Sequence, residues 1–462
     1  MKKVIIFLTV FVLIFTTAAL PASARNYQSE IQLTCDVDYM ISLDTGSVIV
    51  AKNENKRVPI ASVTKITTAL VVLQTCKNLN EVVTVSEMAI KSLDGTGSSL
   101  SGLQVGEQVT VLQLLNLLLV ASGNDAAAVL AEHFGSTQAG FVAMMNKCAQ
   151  KLGCKDTHYN NPHGLDTEDG YSTAHDIALI AQEALKYDTF VKIVATASYN
   201  MEATNKNQKR TLTNTNSTMN LAYKTYYRDY VKGIKTGTTD NAGYCLTSYA
   251  SKNGYTYLAV ALGGDRHDSD GDNIDENQAF MDTIRMYDWV FANLSYELVA
   301  STSLMVAEVK VNYSWKTDHM RLVPAEDVRA LVPTGTDEGS VLVEPIDKPD
   351  EVNAPIKAGD VACKAKILYA DSEIAQVNLV YAESVKRNYL SFVLTLLKRL
   401  VTNPIFLVLL GIVIAAAVAY MVYVFKMKSG RRRKKSGVRL VKINDMDSGA
   451  RKKSNRNYKP KH

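Results

Sequence analysis

Residues 59–73 read Pro-Ile-Ala-Ser-Val-Thr-Lys-Ile-Thr-Thr-Ala-Leu-Val-Val-Leu, an apolar run with a single charged residue, Lys65. From Ser62 onward its length and composition predict a buried helix. Residues three apart on a helix share a face, so the Lys65 amine can reach the Ser62 hydroxyl. A serine becomes a strong nucleophile when a base removes its proton, and a lysine is such a base when burial or a nearby cation keeps it neutral. Ser62 and Lys65 are therefore a candidate nucleophile and base, although Ser-x-x-Lys alone is also typical of an N-cap serine followed by a surface lysine.

The segments on either side of this helix predict an α+β domain. Residues 39–51 predict two strands joined at Asp44-Thr45-Gly46, and three more strands follow late in the chain, the last two joined by the hairpin signal Asn253-Gly254. Strands near both ends with helices between them predict one sheet that the two ends share. The late strands are predicted at 231–235, 244–250 and 255–262, and the helices at 62–73, at 111–120, from Asp125 onward and at 176–186.

A second polar signal, Ser122-Gly123-Asn124, lies between two of the predicted helices. A hydroxyl at this place can relay protons, and an amide can hold the peptide group of a substrate or orient a lysine. Taken alone, the pattern is more typical of a helix-to-helix turn with an Asn cap. A second Ser-x-Asn, Ser251-Lys252-Asn253, lies in the hairpin turn and out of order, and we discard it.

A third signal, Lys235-Thr236-Gly237-Thr238, lies at the end of a predicted strand. The edge of a sheet binds a peptide by adding it as a further strand, and a glycine there leaves room for the substrate backbone to approach. Lys235 and Thr236 can hold a free carboxylate through ionic and hydroxyl hydrogen bonds. The alternative interpretation of this stretch is a charged turn.

The order and spacing of the three signals match the Ser-x-x-Lys, Ser-x-Asn and Lys-Thr-Gly set of β-lactamases and penicillin-binding proteins. On these residues the chain resembles the low-molecular-mass penicillin-binding D-alanyl-D-alanine carboxypeptidases, over about residues 36–385. The resemblance implies an α+β penicillin-binding/β-lactamase-like transpeptidase domain, a small all-β domain and a C-terminal transmembrane helix. Further matching stretches are Asn161-Pro162-His163-Gly164-Leu165, Tyr171-Ser172-Thr173-Ala174-His175-Asp176, Asn214-Thr215-Asn216, Gly243-Tyr244-Cys245 and Ala354-Pro355-Ile356-Lys357-Ala358-Gly359.

The resemblance implies a serine-type hydrolase that trims the terminal D-Ala from peptidoglycan stem pentapeptides in cell-wall biogenesis. Ser62 would attack the penultimate carbonyl and Lys65 would accept its proton, while Ser122 would pass a proton to the departing D-Ala with help from Lys235. The backbone N–H groups of Ser62 and Thr238 would form the oxyanion hole. β-Lactam antibiotics are implied as covalent inhibitors, and no metal or other cofactor is implied. The expected catalytic residues are Ser62, Lys65 and Ser122, and the expected substrate-binding residues are Asn124, Lys235, Thr236, Gly237 and Thr238.

Three other functions share these motifs. A class A β-lactamase would normally carry Asp where Gly123 stands, together with a deacylating Glu that this sequence lacks in recognisable form. A non-catalytic β-lactam sensor would need an output domain, and the C-terminal tail has no recognisable folded one. A D,D-endopeptidase needs only a roomier groove, and release of D-Ala from a pentapeptide would distinguish it.

Two sets of residues near the motifs have plainer interpretations. His163, in a Pro-His-Gly turn, is expected to be a structural hydrogen-bonding residue rather than a catalytic base. Tyrosines precede the third motif and are expected mainly to pack in the core or a hairpin, with groove lining as the alternative. They are Tyr223, Tyr226, Tyr227 and Tyr230.

The two ends of the chain predict export and anchoring. Met1-Lys2-Lys3, a short apolar run and Ala22-Ser23-Ala24 are typical of a secretory signal that is cleaved after Ala24. Residues 405–425 carry no charge, and 21 residues of helix span about 31 Å, the thickness of a bilayer core. The tail beyond them, residues 426–462, contains 15 Lys and Arg against two Asp, which places it in the cytoplasm by the positive-inside rule.

These features predict a single-pass membrane protein with its catalytic domain outside the cytoplasm. The basic tail is interpreted as a stop-transfer flank that can touch anionic lipid, not as a nucleic-acid-binding segment. The six cysteines contain no Cys-x-x-Cys pair and are interpreted mainly as small apolar residues, with a Cys148–Cys154 bridge left open. The predicted domains are a signal peptide (1–24), a catalytic domain (25–295), an all-β domain (296–385), an amphipathic juxtamembrane segment (386–403), a transmembrane helix (404–425) and a cytoplasmic tail (426–462).

Overall fold

The computed structural model describes residues 30–268 and 275–432 of the chain. The predicted signal peptide and the part of the tail beyond Arg432 lie outside the described residues. Up to residue 293 the described strands are β1 (Val37–Ser42), β2 (Val48–Lys52), β3 (Val82–Thr84), β4 (Gln108–Thr110), β5 (Ser198–Met201), β6 (Arg210–Thr213), β7 (Val231–Thr239), β8 (Gly243–Lys252), β9 (Tyr255–Gly264), β10 (Arg266–His267) and β11 (Glu276–Asn277). The helices of the same region are α1 (Lys65–Thr75), α2 (Glu87–Lys91), α3 (Val111–Leu119), α4 (Asn124–Gly135), α5 (Gln138–Lys151), α6 (Ala174–Ala184), α7 (Asp188–Val194) and α8 (Gln278–Asn293).

A five-stranded antiparallel sheet joins the beginning and the end of this region. Its strand order is β2-β1-β9-β8-β7, and Met40 of β1 pairs with Ala259 of β9. The prediction that both ends share one sheet is therefore confirmed. The hairpin between β8 and β9 turns at Asn253 and Gly254, whose φ angles of 55° and 86° are the left-handed pair that a tight two-residue hairpin requires.

The two faces of this sheet are covered by different helices. Because side chains alternate along a strand, Tyr39 and Ile41 face the core that contains α1, α3, α4 and α6, whereas Met40 faces α8. On β9, Val260 and Ala259 divide in the same way between the two cores. The sheet is thus buried on both sides, which explains why its strands are rich in apolar residues.

The helix predicted at 62–73 begins differently from the expectation. Residues Ala61–Thr64 form a 3₁₀ turn, and the α-helix starts only at Lys65. Ala61 has a φ of 47°, a left-handed conformation that directs the chain into the turn. Ser62 therefore lies in a tight turn before the first α-helical residue rather than inside the helix.

The next long helix, α3, begins at a capping box. The Thr110 side chain accepts a hydrogen bond from the backbone N–H of Gln113 at 3.2 Å, and the Gln113 side chain accepts one from the backbone N–H of Thr110 at 2.8 Å. Both bonds satisfy N–H groups that the first turn of a helix leaves without partners. They fix α3, whose other end leads into the Ser122-Gly123-Asn124 junction.

The chain after α8 is built of strands up to residue 381. Six of them form one sheet of order β16-β18-β19-β14-β13-β17, and β12 pairs with β15. This agrees with the predicted all-β segment, while the boundary at 295/296 stays a prediction, since β12 begins at Leu294. The strands are β12 (Leu294–Ala300), β13 (Ala307–Asn312), β14 (His319–Pro324), β15 (Val328–Pro333), β16 (Leu342–Ile346), β17 (Glu351–Asn353), β18 (Val361–Tyr369) and β19 (Ser372–Tyr381).

The described chain divides into two compact units. The larger extends to Lys310 and also contains His319–Val352 and Ile356–Val385; the smaller consists of Val311–Asp318, Asn353–Pro355 and the chain from Lys386 onward. The smaller unit contains two helices, α9 (Tyr389–Thr402) and α10 (Pro404–Arg432). Within α10, Pro404–Met427 is a stretch of 24 residues with a mean hydropathy of 2.9, long and apolar enough to cross a membrane.

Candidate active site

The candidate base, Lys65, is completely buried and lies among three oxygen atoms. Its Nζ is 2.7 Å from Ser62 Oγ, 2.6 Å from Asn124 Oδ1 and 2.7 Å from the backbone oxygen of His163. Burial, with the positive charge of Lys235, holds the pKa of the Lys65 amine well below its usual value, while the negative charge of Asp125 opposes this shift. Burial and the charge of Lys235 outweigh the charge of Asp125 and favour a neutral amine.

The donors and acceptors around Lys65 fit that neutral form. A neutral amine has two N–H groups and one lone pair, and a carbonyl or amide oxygen can only accept. The two N–H groups can be donated to Asn124 Oδ1 and to the His163 carbonyl, which leaves the lone pair facing the Ser62 hydroxyl. A hydroxyl that donates to a lone pair is a hydroxyl whose proton can be taken.

The second motif lies at the junction between α3 and α4. Ser122 has a φ of 60°, is buried, and makes no hydrogen bond through its hydroxyl within the described residues. Asn124 is the first residue of α4, which explains how its side chain is directed at Lys65. The structure therefore brings Asn124 to the base, and leaves the Ser122 hydroxyl free to bond a substrate.

Gly123 is required by its surroundings. A Cβ atom built on it would lie 2.7 Å from Asp125 Oδ1 and 2.8 Å from both Cβ and Oγ of Ser101. At these separations any side chain would force Ser101 or Asp125 to shift. The Asp that a class A β-lactamase would carry at this position would therefore require the junction to rearrange.

Asp125 ties the loop before α3 to the start of α4, which the sequence motifs did not indicate. Its carboxylate accepts hydrogen bonds from the backbone N–H and the hydroxyl of Ser101, at 2.9 and 2.7 Å, and from the backbone N–H of Leu103 at 3.0 Å. A carboxylate in the first turn of a helix is also favoured by the helix dipole. Because Asn124 directly precedes Asp125 in the chain, these bonds also fix the position of Asn124.

The third motif occupies β7, the terminal strand of the sheet. Lys235 is buried, donates from Nζ to the backbone oxygen of Thr236 at 2.9 Å, and its burial lowers the pKa of its amine to about 7. A Cβ atom on Gly237 would lie 3.1 Å from the backbone nitrogen of Ser62 and 2.8 Å from the Ile60 oxygen. Gly237 thus allows the strand to lie directly against the turn that carries Ser62.

Thr236 has a partner that the motifs did not single out. Its hydroxyl lies 2.6 Å from the hydroxyl of Thr215. The neighbouring Asn216 donates from its side chain to the backbone oxygen of Gly233 at 3.2 Å, which holds this segment against β7. The sequence contains a signal for this contact, because Asn214-Thr215-Asn216 is one of the stretches that carry the family resemblance. Thr238 follows on the same strand, and its hydroxyl donates to the backbone oxygen of Gly237 at 2.8 Å.

The turn that contains His163 supports the base through its backbone. Asn161 Oδ1 accepts from the N–H groups of His163 and Gly164, at 3.2 and 2.6 Å, and the His163 ring Nδ1 accepts from the N–H of Leu165 at 3.3 Å. Burial and the charge of Lys65 lower the pKa of the His163 ring to about 3, so the ring stays neutral. These contacts agree with a structural role for the ring, while the contact of its carbonyl with Lys65 could not be read from the sequence.

The tyrosines before the third motif divide between core and surface. Tyr230 is buried and its hydroxyl bonds Asp288, and the Tyr226 ring packs on Phe280 with centroids 5.0 Å apart. Tyr223 is exposed. Packing therefore accounts for two of the four, as expected for the plainer interpretation.

Comparison with known proteins gives two family matches on this chain. Residues 24–266 match the model of D-alanyl-D-alanine carboxypeptidases, and residues 298–387 match the model of the penicillin-binding protein 5 C-terminal domain. The first match covers more than half of the chain, and the second covers the segment built of strands.

Individual relatives agree with the family models. The chain is 32% identical over 379 residues to the D-alanyl-D-alanine carboxypeptidase DacF of Bacillus subtilis, a match that covers 81% of this chain and 91% of the relative. Among solved structures, penicillin-binding protein 5 from Haemophilus influenzae superposes with a TM-score of 0.56 at 28% identity, over 77% of this chain and 98% of the other. The DacD carboxypeptidase from Francisella tularensis gives a TM-score of 0.60 at 23% identity, over 78% and 95%, which shows the shared fold. The chain belongs to the penicillin-binding D-alanyl-D-alanine carboxypeptidases, the serine peptidases that work through an acyl-enzyme.

Proposed function

We propose that this chain removes the terminal D-Ala from peptidoglycan stem peptides with Ser62 as the acylated nucleophile and Lys65 as its base. The observation that carries the proposal is the contact of 2.7 Å between Lys65 Nζ and Ser62 Oγ, made by a fully buried amine that Asn124 Oδ1 and the His163 carbonyl hold in place. Lys65 takes the hydroxyl proton as Ser62 Oγ forms a bond to the penultimate carbonyl carbon. Asn124 orients this pair.

The remaining motif residues have complementary roles in the same proposal. The developing oxyanion accepts from the backbone N–H groups of Ser62 and Thr238, two segments that Gly237 allows to approach closely. When the C–N bond breaks, Ser122 passes a proton to the departing D-Ala, assisted by the charge of Lys235. Water then attacks the ester, and Ser62 Oγ recovers its proton.

The terminal carboxylate of the substrate is held by charge and hydroxyl groups on β7. Protonated Lys235 supplies the charge, and the Thr236 hydroxyl supplies a hydrogen bond. Thr215, 2.6 Å from Thr236 Oγ1, orients that hydroxyl. A β-lactam carries a similarly placed carboxylate and acylates Ser62 in the same way, as the resemblance implies.

The test is a pair of measurements on one pair of variants. Ser62→Ala is expected to abolish both labelling by a fluorescent penicillin and D-Ala release from a D-Ala-D-Ala peptide, because among the described residues Ser62 supplies the one hydroxyl that bonds Lys65 Nζ. Ser251→Ala, which alters the discarded Ser-x-Asn stretch, is the matched control and is expected to keep both. Labelling or release by a folded Ser62→Ala variant would assign the nucleophile elsewhere.

The same two measurements, together with cleavage of a cross-linked dimer, separate the alternative functions. A sensor would be labelled without releasing D-Ala, and a β-lactamase would lose its penicillin label rapidly by hydrolysis. Gly123, where the Asp of a class A β-lactamase would press on Ser101 and Asp125, favours the carboxypeptidase over that enzyme. A D,D-endopeptidase would cleave a cross-linked dimer faster than the pentapeptide.

We further propose that α10 anchors the protein in the cell membrane, with the catalytic domain outside and the tail in the cytoplasm. Pro404–Met427 has the length and hydropathy of a span, and the tail after it carries a strong excess of Lys and Arg. The exposed apolar face of α9 then lies in the interfacial layer, as expected for an amphipathic helix that leads into a span.

A further inference from the structure

The loop between β13 and β14 presents an exposed tryptophan. Trp315 is 64% exposed, and Lys316 next to it is exposed as well. The loop is closed by hydrogen bonds, from the N–H of Val311 to the oxygen of Asp318 at 2.8 Å and from the N–H of Thr317 to Ser314 Oγ at 3.2 Å. An exposed indole on an ordered loop is typical of a residue at a binding surface, because burial of its large apolar surface in a contact contributes a large favourable free energy.

The same loop is attached to the beginning of α9. The backbone N–H of Asn388, the N-cap residue of α9, donates to the oxygen of Tyr313 at 2.8 Å. The Tyr313 ring packs edge-on against Phe392 of α9, with ring centroids 5.1 Å apart. The guanidinium of Arg387 lies 4.9 Å from the centre of the Phe392 ring, on which it rests as a cation on an aromatic face.

A second attachment fixes the chain just before α9. Arg387 Nε donates to the backbone oxygen of Ala354 at 2.8 Å, and the N–H of Ala354 donates to the oxygen of Asn312 at 3.0 Å. Loop 311–318, segment 353–355 and the start of α9 therefore form one compact piece, in agreement with the division of the chain into two units. Wherever α9 lies, Trp315 is carried with it.

No described residue covers the apolar face of α9. Its large exposed side chains recur along one face at helical spacing, while Lys398 and Arg399 lie on the other side. After Asn403 the chain continues directly into α10, whose apolar side chains are exposed in the same way. The exposed apolar residues of α9 are Tyr389, Leu390, Val393, Leu394, Leu396, Leu397, Leu400 and Val401.

We propose that loop 311–318 is a second contact with the membrane, in which Trp315 enters the headgroup layer of the leaflet that receives α9. The inference rests on the anchoring role proposed for α10, because continuity with that span identifies the occupant of this surface as a lipid bilayer. Tryptophan is enriched at the membrane–water interface, where the indole ring is apolar and its N–H finds a polar partner. The ammonium of Lys316 would face the lipid phosphates.

The test uses the tryptophan as its own probe. The chain has two tryptophans, Trp289 and Trp315, so Trp289→Phe leaves Trp315 as the single emitter in the full-length protein. The variant is reconstituted in vesicles of phosphatidylcholine and phosphatidylglycerol, with or without phospholipids brominated close to the headgroup. We expect the brominated lipid to quench Trp315 emission. We also expect the emission maximum in vesicles to be blue-shifted relative to that of an indole in water. Trp315→Phe measures how much quenching comes from Trp289.

Flotation of the same vesicles separates this inference from the anchor on which it rests. A protein that floats with the vesicles while Trp315 stays unquenched would overturn the inference and leave the anchor intact. A protein that does not float would overturn both. Phe392→Ala removes the ring on which Tyr313 and Arg387 pack, and is expected to weaken the quenching without changing flotation; unchanged quenching would refute the coupling of the loop to α9.

Discussion

At the scale of single residues, the proposed mechanism depends on the protonation states of two buried lysines, Lys65 and Lys235. Lys65 and Lys235 are both fully buried, and the burial of each lowers the pKa of its amine. The proposed roles differ, because Lys65 must be neutral to accept a proton while Lys235 must be charged to hold a carboxylate. A single pH window therefore has to satisfy both groups.

This opposition predicts a bell-shaped dependence of kcat/KM on pH. Activity should rise as Lys65 loses its proton, at a pH well below the usual range for lysine, and should fall above about pH 7 as Lys235 loses its proton. The pH dependence of kcat/KM reports the pKa values of the free enzyme. D-Ala release is therefore measured at low substrate concentration across roughly pH 4–10, a range in which a domain usually stays folded. This profile gives both limbs.

The matched variant for that profile is Lys235→Arg. A guanidinium keeps its charge throughout this range, so the descending limb should move to higher pH even if the overall rate falls. A descending limb at the same pH in this variant would assign the limb to another group. The ascending limb should not move, because it belongs to Lys65.

The sequence predicted which side chains form the site but not the backbone groups that complete it. Ser62, Lys65 and Asn124 meet as expected, and Lys235 is near enough for its charge to act on Lys65. The third neighbour of Lys65 is the carbonyl of His163, and a carbonyl is common to every residue, so no sequence pattern identifies it. Only the fold brings that turn to the base.

At the scale of elements, the position of Asn124 depends on a tight junction. At this junction Gly123 lies directly against Ser101 and Asp125, and the Asp125 carboxylate bonds the backbone and hydroxyl of Ser101. Asn124 follows Gly123 directly, so any movement of this junction is passed to the amide that orients Lys65.

Gly123→Ala tests this dependence without changing a polar group. The backbone at Gly123, with φ −64° and ψ 119°, suits alanine, so the added methyl acts only through its contacts with Ser101 and Asp125. We expect a loss of stability of about 1–3 kcal/mol, the usual cost of overpacking, and slower acylation by penicillin. Urea unfolding and stopped-flow labelling give the two values.

A glycine without such contacts is the control for that substitution. At Gly339 the nearest atom to an added Cβ is Asp337 Oδ1 at 3.4 Å, and the same change there should be close to neutral. Equal effects of Gly123→Ala and Gly339→Ala on acylation would show that the junction does not position the base.

Secondary-structure elements were predicted best where the local sequence alone determines the structure. The apolar run after Thr110 gave α3 almost to the residue, and Asn253-Gly254 gave the hairpin between β8 and β9. The start of the nucleophile helix was wrong, because the apolar composition does not distinguish a 3₁₀ turn from an α-helix. The turn is imposed by long-range packing, since Gly237 of β7 and Gly164 of the His163 turn both lie against its backbone.

At the scale of the whole molecule, the charge distribution predicts one topology. The bulk of the chain should lie outside the membrane and the tail, residues 426–462, inside, because basic residues are retained on the cytoplasmic side. Protease added to intact cells from which the wall has been removed should therefore digest the bulk and spare an epitope placed at the C-terminus. Digestion of that epitope before the cells are lysed would reverse the topology.

The sheet that unites the two ends of the catalytic region also sets the time at which the enzyme can form. Strand β1 pairs with its neighbour β2, but it gains its second main-chain partner only when β9 is present, because Met40 pairs with Val50 on one side and with Ala259 on the other. A chain threaded through a membrane from its N-terminus would deliver the β1–β2 hairpin long before β9, so one edge of β1 would stay unpaired until β9 arrives. Such a contact between distant parts of the chain slows folding, so the site around Ser62 would be completed only after β7, β8 and β9 have emerged.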